Sequence, residues 1–587
     1  MSLETRSVRT AEGRGPRGRS ADLATAVESM VPADLLARFD PTLFGRTVLQ
    51  LAQGWSSHPG EVTRAVAAFA GVSARVASAT VARALGGTGD GPMPVGRDGR
   101  FKDTTWEENP AFWALRQEYL ALVEMLESLA HAAGLDPDAD ERATMMLGLL
   151  GSVLSPTNLL PGNPSALKRA FETGGSSVVA GLRALLTDVA SNNGRPQQVD
   201  RSELRVGQEL AATPGKVVYR NRLMELIQFE SQTDEVHEIP ILASPPWINK
   251  YYVMDLSPQR SLLEWAVQHG HTVFVISYRD PDETMSGTTL EDYLELGPLA
   301  ALDVVQEITG APRVDMLSLC LGGLLATITT AVLARRGDDR VNSLTLLNTL
   351  LDYTDPGPVS SFVHPDSVAR IEKQMEQTGY LPADAMAGVF DMLRANDLIF
   401  NYVGPNWLEG RTPPSFDILA WNGDSTRMPA AMQSFYLRRF YLDNELARGE
   451  LEVLGERVSL KDVGVDTFIV AAENDHIAPW RTSFTSTRLL GGEVDFTLST
   501  SGHIAGVVNP PSPKAKHWVG KVAGEAQSDP DTWRRSATEV PGSWWETWTE
   551  WIAGRSGPKG PPPPMGSAEH PPQADAPGAY VRGGGDA

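Results

Sequence analysis

The chain contains one cysteine, and its position constrains the fold more than any other feature. Cys320 ends the apolar run Val314-Asp315-Met316-Leu317-Ser318-Leu319 and leads into Leu321-Gly322-Gly323 and a helical stretch that reaches Arg335. A strand that turns at once into a helix needs small residues at the reversal, and Ser318, Gly322 and Gly323 supply them. The same rhythm continues on both sides. Strands are expected at His237–Trp247, Thr272–Tyr278, Val314–Leu319, Val341–Leu347, Asp466–Ala472 and Val494–Ser499, with helices such as Ser261–His269 and Leu321–Arg335 between them. This alternation predicts an α/β domain over 201–556, built on a mainly parallel sheet covered on both faces.

Other parts of the chain read differently. Residues 21–200 are helical in pattern; Phe112, Leu115, Tyr119, Leu122 and Met125 recur at steps of three and four and predict one buried face. Residues 191–196 read as a linker. More than a hundred residues separate Val341–Leu347 from Asp466–Ala472, too many for an ordinary connection, so a cap insertion is expected at about 354–458. The Arg-rich segment 1–20 and the Pro- and Gly-rich segment 557–587, with Pro561–Pro564 in a row, are expected to be disordered. No run of about 18 apolar residues and no apolar signal core stand out, so no membrane span or export signal is expected. A lone cysteine excludes intramolecular disulfides and cysteine metal clusters and fits a reducing cytoplasm.

Strand, tight turn and helix around Cys320 match the Gly-x-Ser-x-Gly nucleophile elbow of α/β-hydrolases, with Cys in place of Ser. That fold orders its triad as nucleophile, acid, base along the chain. Asp475, after the strand Asp466–Ala472, is the leading acid; Glu473 and Asp352 are rivals. His503, on the loop after Val494–Ser499, is the leading base, and His476 competes with it. Leu321, next to the nucleophile, and Ile248, in Pro245-Pro246-Trp247-Ile248-Asn249, are the candidates for backbone oxyanion donors. A thiolate that attacks a thioester makes another thioester, so the captured acyl group stays activated for transfer.

Taken together, these residues resemble the polyhydroxyalkanoate synthases, polymerases of poly(3-hydroxyalkanoate). The resemblance rests on Ser318-x-Cys320-x-Gly322-Gly323, on Pro245 to Tyr252 with Asp255-Leu256, and on Phe416-Asp417 with Trp421-Asn422-x-Asp424-Ser425-Thr426. It extends to Asp475-His476-Ile477, Ser501-Gly502-His503-Ile504, the Trp-rich end Gly542 to Trp551, and the helical segments 155–158 and 172–175. It covers about residues 100–555 and is similar to the single-subunit members. The resemblance implies an (R)-3-hydroxyacyl-CoA substrate, such as 3-hydroxybutyryl-CoA, and no metal or organic cofactor. It implies an aspartate that activates the 3-hydroxyl of the incoming unit, or orients the histidine. It also implies a homodimer in the cytoplasm at the surface of polymer granules. A thioesterase or polyester depolymerase with the same triad is the alternative. The net charge of −22 argues against nucleic acid and gives no general attraction for an anionic acyl-CoA, which needs local basic groups.

Overall fold

The computed structural model describes residues 41–583 apart from 97, 384, 386–394 and 523–528, so the segment 1–20 expected to be disordered lies outside the described residues. The chain divides into two compact units. The first comprises Met1–Leu135, Ala143–Gln197 and Ala395–Arg411; the second comprises Asp136–Arg142, Gln198–Arg394 and Thr412–Ala587. The stretch expected to be one cap insertion is therefore shared, because Ala395–Arg411 belongs to the helical unit. Trp407 donates its indole N–H to the buried Asp188 carboxylate at 2.7 Å, and the Arg169 guanidinium donates to the Glu409 carbonyl at 2.8 Å. Gly181 lies directly against the Trp407 carbonyl, where a Cβ has no room.

Within the helical unit, Pro110–His131 starts at Asn109, whose side chain accepts from the Ala111 and Phe112 N–H groups. Its buried face differs from the predicted one. Leu115 is 39% exposed, while Arg116 and Gln117 are buried. Arg116 pairs with Glu107 at 2.6 Å, and Gln117 exchanges hydrogen bonds with the Met93 backbone at 2.8 and 3.1 Å. Polar side chains with their own partners thus occupy core positions that apolar spacing cannot reveal. The helix Pro59–Ala84 also departs from expectation: by length and composition alone it could cross a membrane. Its Arg64, Arg75 and Arg83 interrupt the apolar run in the sequence. It packs along Pro110–His131, with Ala65 and Val76 buried and the Arg83 guanidinium 4.5 Å from the Trp113 ring.

The second unit is built on an eleven-stranded sheet. In chain order its strands are β1 (Gly215–Arg220), β2 (Met224–Phe229), β3 (Ile241–Ser244), β4 (Val273–Tyr278), β5 (Val314–Leu319), β6 (Val341–Leu347), β7 (Asp466–Ala472), β8 (Val494–Ser499), β9 (Lys516–Lys521), β10 (Thr538–Pro541) and β11 (Ala574–Asp575). The spatial order is β10-β9-β8-β7-β6-β5-β3-β4-β2-β1-β11. The strands from β4 to β8 pair in parallel, and antiparallel strands close both sides. This is the expected α/β-hydrolase sheet, and its period of two sorts β5 into two cores: Val314 and Met316 face one, Leu317 and Leu319 the other. Cys320 packs against both. Asp315, between them, accepts from Ser343, Asn342 and Ser556 at 2.6 to 2.8 Å. Neutral donors thus satisfy a buried carboxylate whose pKa burial pushes upward.

The tail 557–587, expected to be disordered, is ordered through Gly583. Lys559–Gly560 pairs antiparallel with Val236–His237, and the Gln228 side chain bonds the Pro564 carbonyl and the Gly566 N–H at 2.9 and 2.8 Å. β11 then covers the outer edge of β1. The fully buried Glu225 accepts from the Ala579 and Tyr580 N–H groups, both at 2.9 Å, and Tyr580 donates to the Asn221 carbonyl at 2.7 Å. Proline does not prevent order here, because the sheet edge and polar side chains on β2 and nearby satisfy the tail's backbone. Tyr580→Ala should cost about 3–5 kcal/mol in denaturant unfolding, as for other buried aromatic truncations. Truncation after Ser556 should add self-association in sedimentation, since it bares the β1 edge; an unchanged midpoint and a monodisperse boundary would contradict this role for the tail.

Candidate active site

Cys320 stands between β5 and the helix Leu321–Arg335 with φ 52° and ψ −118°. Side chains rarely take this conformation, which costs roughly 1–3 kcal/mol and persists only where the surroundings impose it. They do so here: the Cys320 N–H is held by the Leu347 carbonyl at 2.8 Å, and its carbonyl accepts from the Gly323 N–H at 2.9 Å. A Cβ on Gly322 would collide with the Ser244 and Pro245 carbonyls, and one on Gly323 with the Thr349 side chain. The two glycines thus let the helix start press against the ends of β3 and β6, leaving the thiol at the carboxyl end of the parallel strands.

The loops after β7 and β8 bring the other two residues to it. The Glu473 N–H bonds the Ser499 carbonyl and the Asn474 N–H bonds the Ser501 carbonyl, both at 2.9 Å, so the loops are tied together. His503 Nδ1 and Asp475 Oδ2 are 2.6 Å apart, and both residues are buried. Asp475 Oδ1 accepts from the Ile477 and Ala478 N–H groups at 2.8 and 2.9 Å. Burial alone would lower the His503 pKa. The Asp475 charge, the Cys320 charge and hydrogen bonds to both override it, and His503 is pushed up to about 10. Cys320, His503 and Asp475 are therefore brought together.

The rivals are placed elsewhere. Asp352 accepts from the Thr354 N–H and hydroxyl and from Asn444 Nδ2, at 2.6 to 2.9 Å. Glu473 faces Arg534 at 3.8 Å. His476 neighbours Asp475 in sequence, but the Asp475 oxygens go to His503 and the backbone. Leu321 is the first residue of the helix after Cys320, and Ile248 packs against the same core cluster as the cysteine.

Asn348 escaped the sequence reading, as did the structural roles of several residues that it placed in motif segments. Asn348, fully buried just past β6, donates Nδ2 to the His503 carbonyl. The Trp-rich helix Trp544–Ala553 braces the segment that follows His503: Trp544 and Trp545 donate to the Gly506 and Val507 carbonyls at 3.1 and 2.8 Å, and Trp548 donates to Thr345 on β6 at 2.9 Å. The two motif segments after β3 and around Trp421 pack together. Lys250 pairs with Asp424 at 2.8 Å, Tyr252 donates to the same carboxylate at 2.7 Å, and Trp421 donates to the Lys250 carbonyl at 2.9 Å. Tyr353, Tyr436 and Tyr441 cluster beside Cys320.

Comparison with known proteins adds to this geometry. Residues 97–266 match the family model of the poly-beta-hydroxybutyrate polymerase (PhaC) N-terminus, and residues 225–510 match the alpha/beta hydrolase fold. The chain is 40% identical over 546 residues to the poly(3-hydroxyalkanoate) polymerase subunit PhaC of Rhizobium meliloti, covering 92% of this chain and 88% of that one. It is 40% identical over 541 residues to the poly(3-hydroxyalkanoate) polymerase of Methylorubrum extorquens, covering 92% and 89%. It is 39% identical over 500 residues to the poly(3-hydroxyalkanoate) polymerase subunit PhaC of Cupriavidus necator, covering 84% of each.

The raised His503 pKa makes a pH prediction. The imidazolium pair contributes fully to stability below the ordinary histidine value of about 6.5 and loses that contribution as pH rises through about 10. In Asp475→Asn the carboxylate charge is gone and burial dominates, so His503 should titrate well below 10, as read by NMR of ring-labelled histidine. An unchanged titration would show that Asp475 does not hold the proton on His503.

Proposed function

Because this chain belongs to the poly(3-hydroxyalkanoate) polymerase family, we propose that it polymerises (R)-3-hydroxyacyl-CoA through an acyl thioester on Cys320. The observation that carries this reading is a thiol, rather than a hydroxyl, on the strained elbow beside the His503–Asp475 pair. In this site the proton rests on His503, and the Cys320 sulfur is the nucleophile. Attack on the acyl-CoA carbonyl sends charge to its oxygen, which the Leu321 and Ile248 N–H groups receive. The carbon–sulfur bond to CoA then breaks, His503 gives its proton to the departing thiolate, and the acyl group is left on Cys320. The 3-hydroxyl of the next unit attacks that thioester and neutral His503 accepts the hydroxyl proton; as the ester forms, the Cys320 carbon–sulfur bond breaks, the thiolate beside protonated His503 is restored, and the chain passes to the CoA thioester of that unit, ready to acylate Cys320 again.

Asp475 is assigned the role of orienting and charging His503. What supports this over direct activation of the 3-hydroxyl is its burial, with one oxygen on His503 and the other on two backbone N–H groups. The preferred substrate is 3-hydroxybutyryl-CoA, and the working form is a homodimer at the granule surface in the cytoplasm; these rest on the family alone. Lys250 and Asp424 are proposed to hold the loop of Ile248 in place rather than to touch substrate.

CoA release from (R)-3-hydroxybutyryl-CoA, with the product collected, tests the reading. Insoluble polyester should form with wild type, and both CoA and polymer should be lost in Cys320→Ala and fall by at least about a thousandfold in His503→Gln. His476→Gln should retain activity. CoA release with only free 3-hydroxybutyrate would make the protein a hydrolase. Asp475→Asn should slow first acylation and elongation alike; a selective loss of elongation would instead assign hydroxyl activation to the aspartate.

A further inference from the structure

The mechanism leaves three phenols beside the nucleophile without a task. Tyr353, Tyr436 and Tyr441 pack ring against ring, with centroids 4.9 to 6.1 Å apart, in the cluster that Cys320 joins. Packing alone does not require their hydroxyls, since Phe440 fills the same cluster without one. The Tyr353 and Tyr436 hydroxyls lie 3.3 Å apart. Neither they nor the Tyr441 hydroxyl bonds a carboxylate or a backbone carbonyl among the described residues. Tyr436 also shares a hydrogen bond with Tyr441, so the three phenols have two contacts among them, and whichever way they donate one O–H remains unused. Tyr353 and Tyr436 are buried, where an unused donor costs about 1–3 kcal/mol.

The backbone makes this grouping deliberate. Five positions along an α-helix are rotated by roughly 140°, so Tyr436 and Tyr441 would diverge. Residues Tyr436–Leu442 instead form a π-helical turn, whose wider i→i+5 winding brings the two rings to 5.4 Å. Such turns are frequent at functional sites. Burial foremost, with the Cys320 charge adding to it, holds all three above the ordinary tyrosine range; the hydrogen bond to Tyr436 offsets part of this for Tyr353 and Tyr441, and Tyr441 lies at about 12. They stay protonated and can donate throughout the working range.

We propose that the Tyr353–Tyr436–Tyr441 phenols recognise the 3-hydroxyl of the acyl group on its way to Cys320, and so select 3-hydroxyacyl over unsubstituted acyl thioesters. The inference rests on the function proposed above and names the residues that enforce its substrate class. A hydroxyl-bearing substrate fills the unused hydrogen bonds; an acyl group lacking it leaves them unpaired, which is the discrimination a polar pocket makes best.

The test is the rate of single-turnover acylation of Cys320, followed by rapid quench and intact mass, with (R)-3-hydroxybutyryl-CoA and with butyryl-CoA. Wild type should prefer the hydroxyacyl substrate, and Tyr436→Phe should reduce that preference at least tenfold. Tyr441→Phe, at a half-buried position, provides the second variant, and unchanged iodoacetamide labelling of Cys320 verifies an intact elbow in each. A preference unchanged in both variants, with wild type acylated normally, would overturn the phenol assignment alone. Failure of (R)-3-hydroxybutyryl-CoA to acylate wild type would overturn the proposed function, and this inference with it.

Discussion

The contact between His503 and Asp475, 2.6 Å long and shielded from water, is the interaction on which the site depends. A buried imidazolium is costly on its own, and it persists here because one carboxylate is fixed beside it and a thiol lies on its other side. Fixing that carboxylate takes much of the sheet's upper edge. The Ile477 and Ala478 N–H groups hold its second oxygen, the loops after β7 and β8 are bonded to each other, and Asn348 reaches from β6 to the His503 carbonyl. Trp544 and Trp545 brace the next turn. A residue more than forty positions beyond the histidine can therefore set its geometry without approaching a substrate.

The same edge explains why the signature segments cluster as they do. Gly322 and Gly323 are required by carbonyl and side-chain neighbours, not by flexibility. Lys250, Tyr252, Trp421 and Asp424 form one bonded group that joins the loop after β3 to the insert. The insert then returns Tyr436 and Tyr441 to the nucleophile through a π-helical turn. A cysteine on this frame would conserve the energy of an incoming thioester, whereas a serine ester would be a less activated intermediate, and this is the physical link we propose between the elbow and polymer synthesis.

The parallel strands were legible because each is a short stretch with apolar residues at half or more of its positions, bounded by turn residues; Val314–Leu319, Val341–Leu347, Asp466–Ala472 and Val494–Ser499 have the boundaries expected of them. The meeting of Cys320, Asp475 and His503 follows from the same topology, since all three lie just beyond the carboxyl ends of parallel strands. What the sequence hid was polar. Arg116 and Gln117 are buried because Glu107 and Met93 receive them, and β2 carries Glu225 and Gln228 inside the protein to anchor the tail. Composition made residues 557–583 look unable to order, because it cannot register donors waiting on a distant strand. The phenol cluster was equally invisible, as Tyr353 and Tyr436 are 83 positions apart.

The central claim is that Cys320 keeps the acyl group for transfer instead of yielding it to water. Rapid quench of the enzyme with (R)-3-hydroxybutyryl-CoA, followed by digestion and mass spectrometry of the Cys320 peptide, tests this directly. The account predicts a ladder of adducts on that peptide, spaced by one 3-hydroxyacyl unit and lengthening with time. A single acyl adduct that decays to free acid, or a ladder on any other residue, would contradict it.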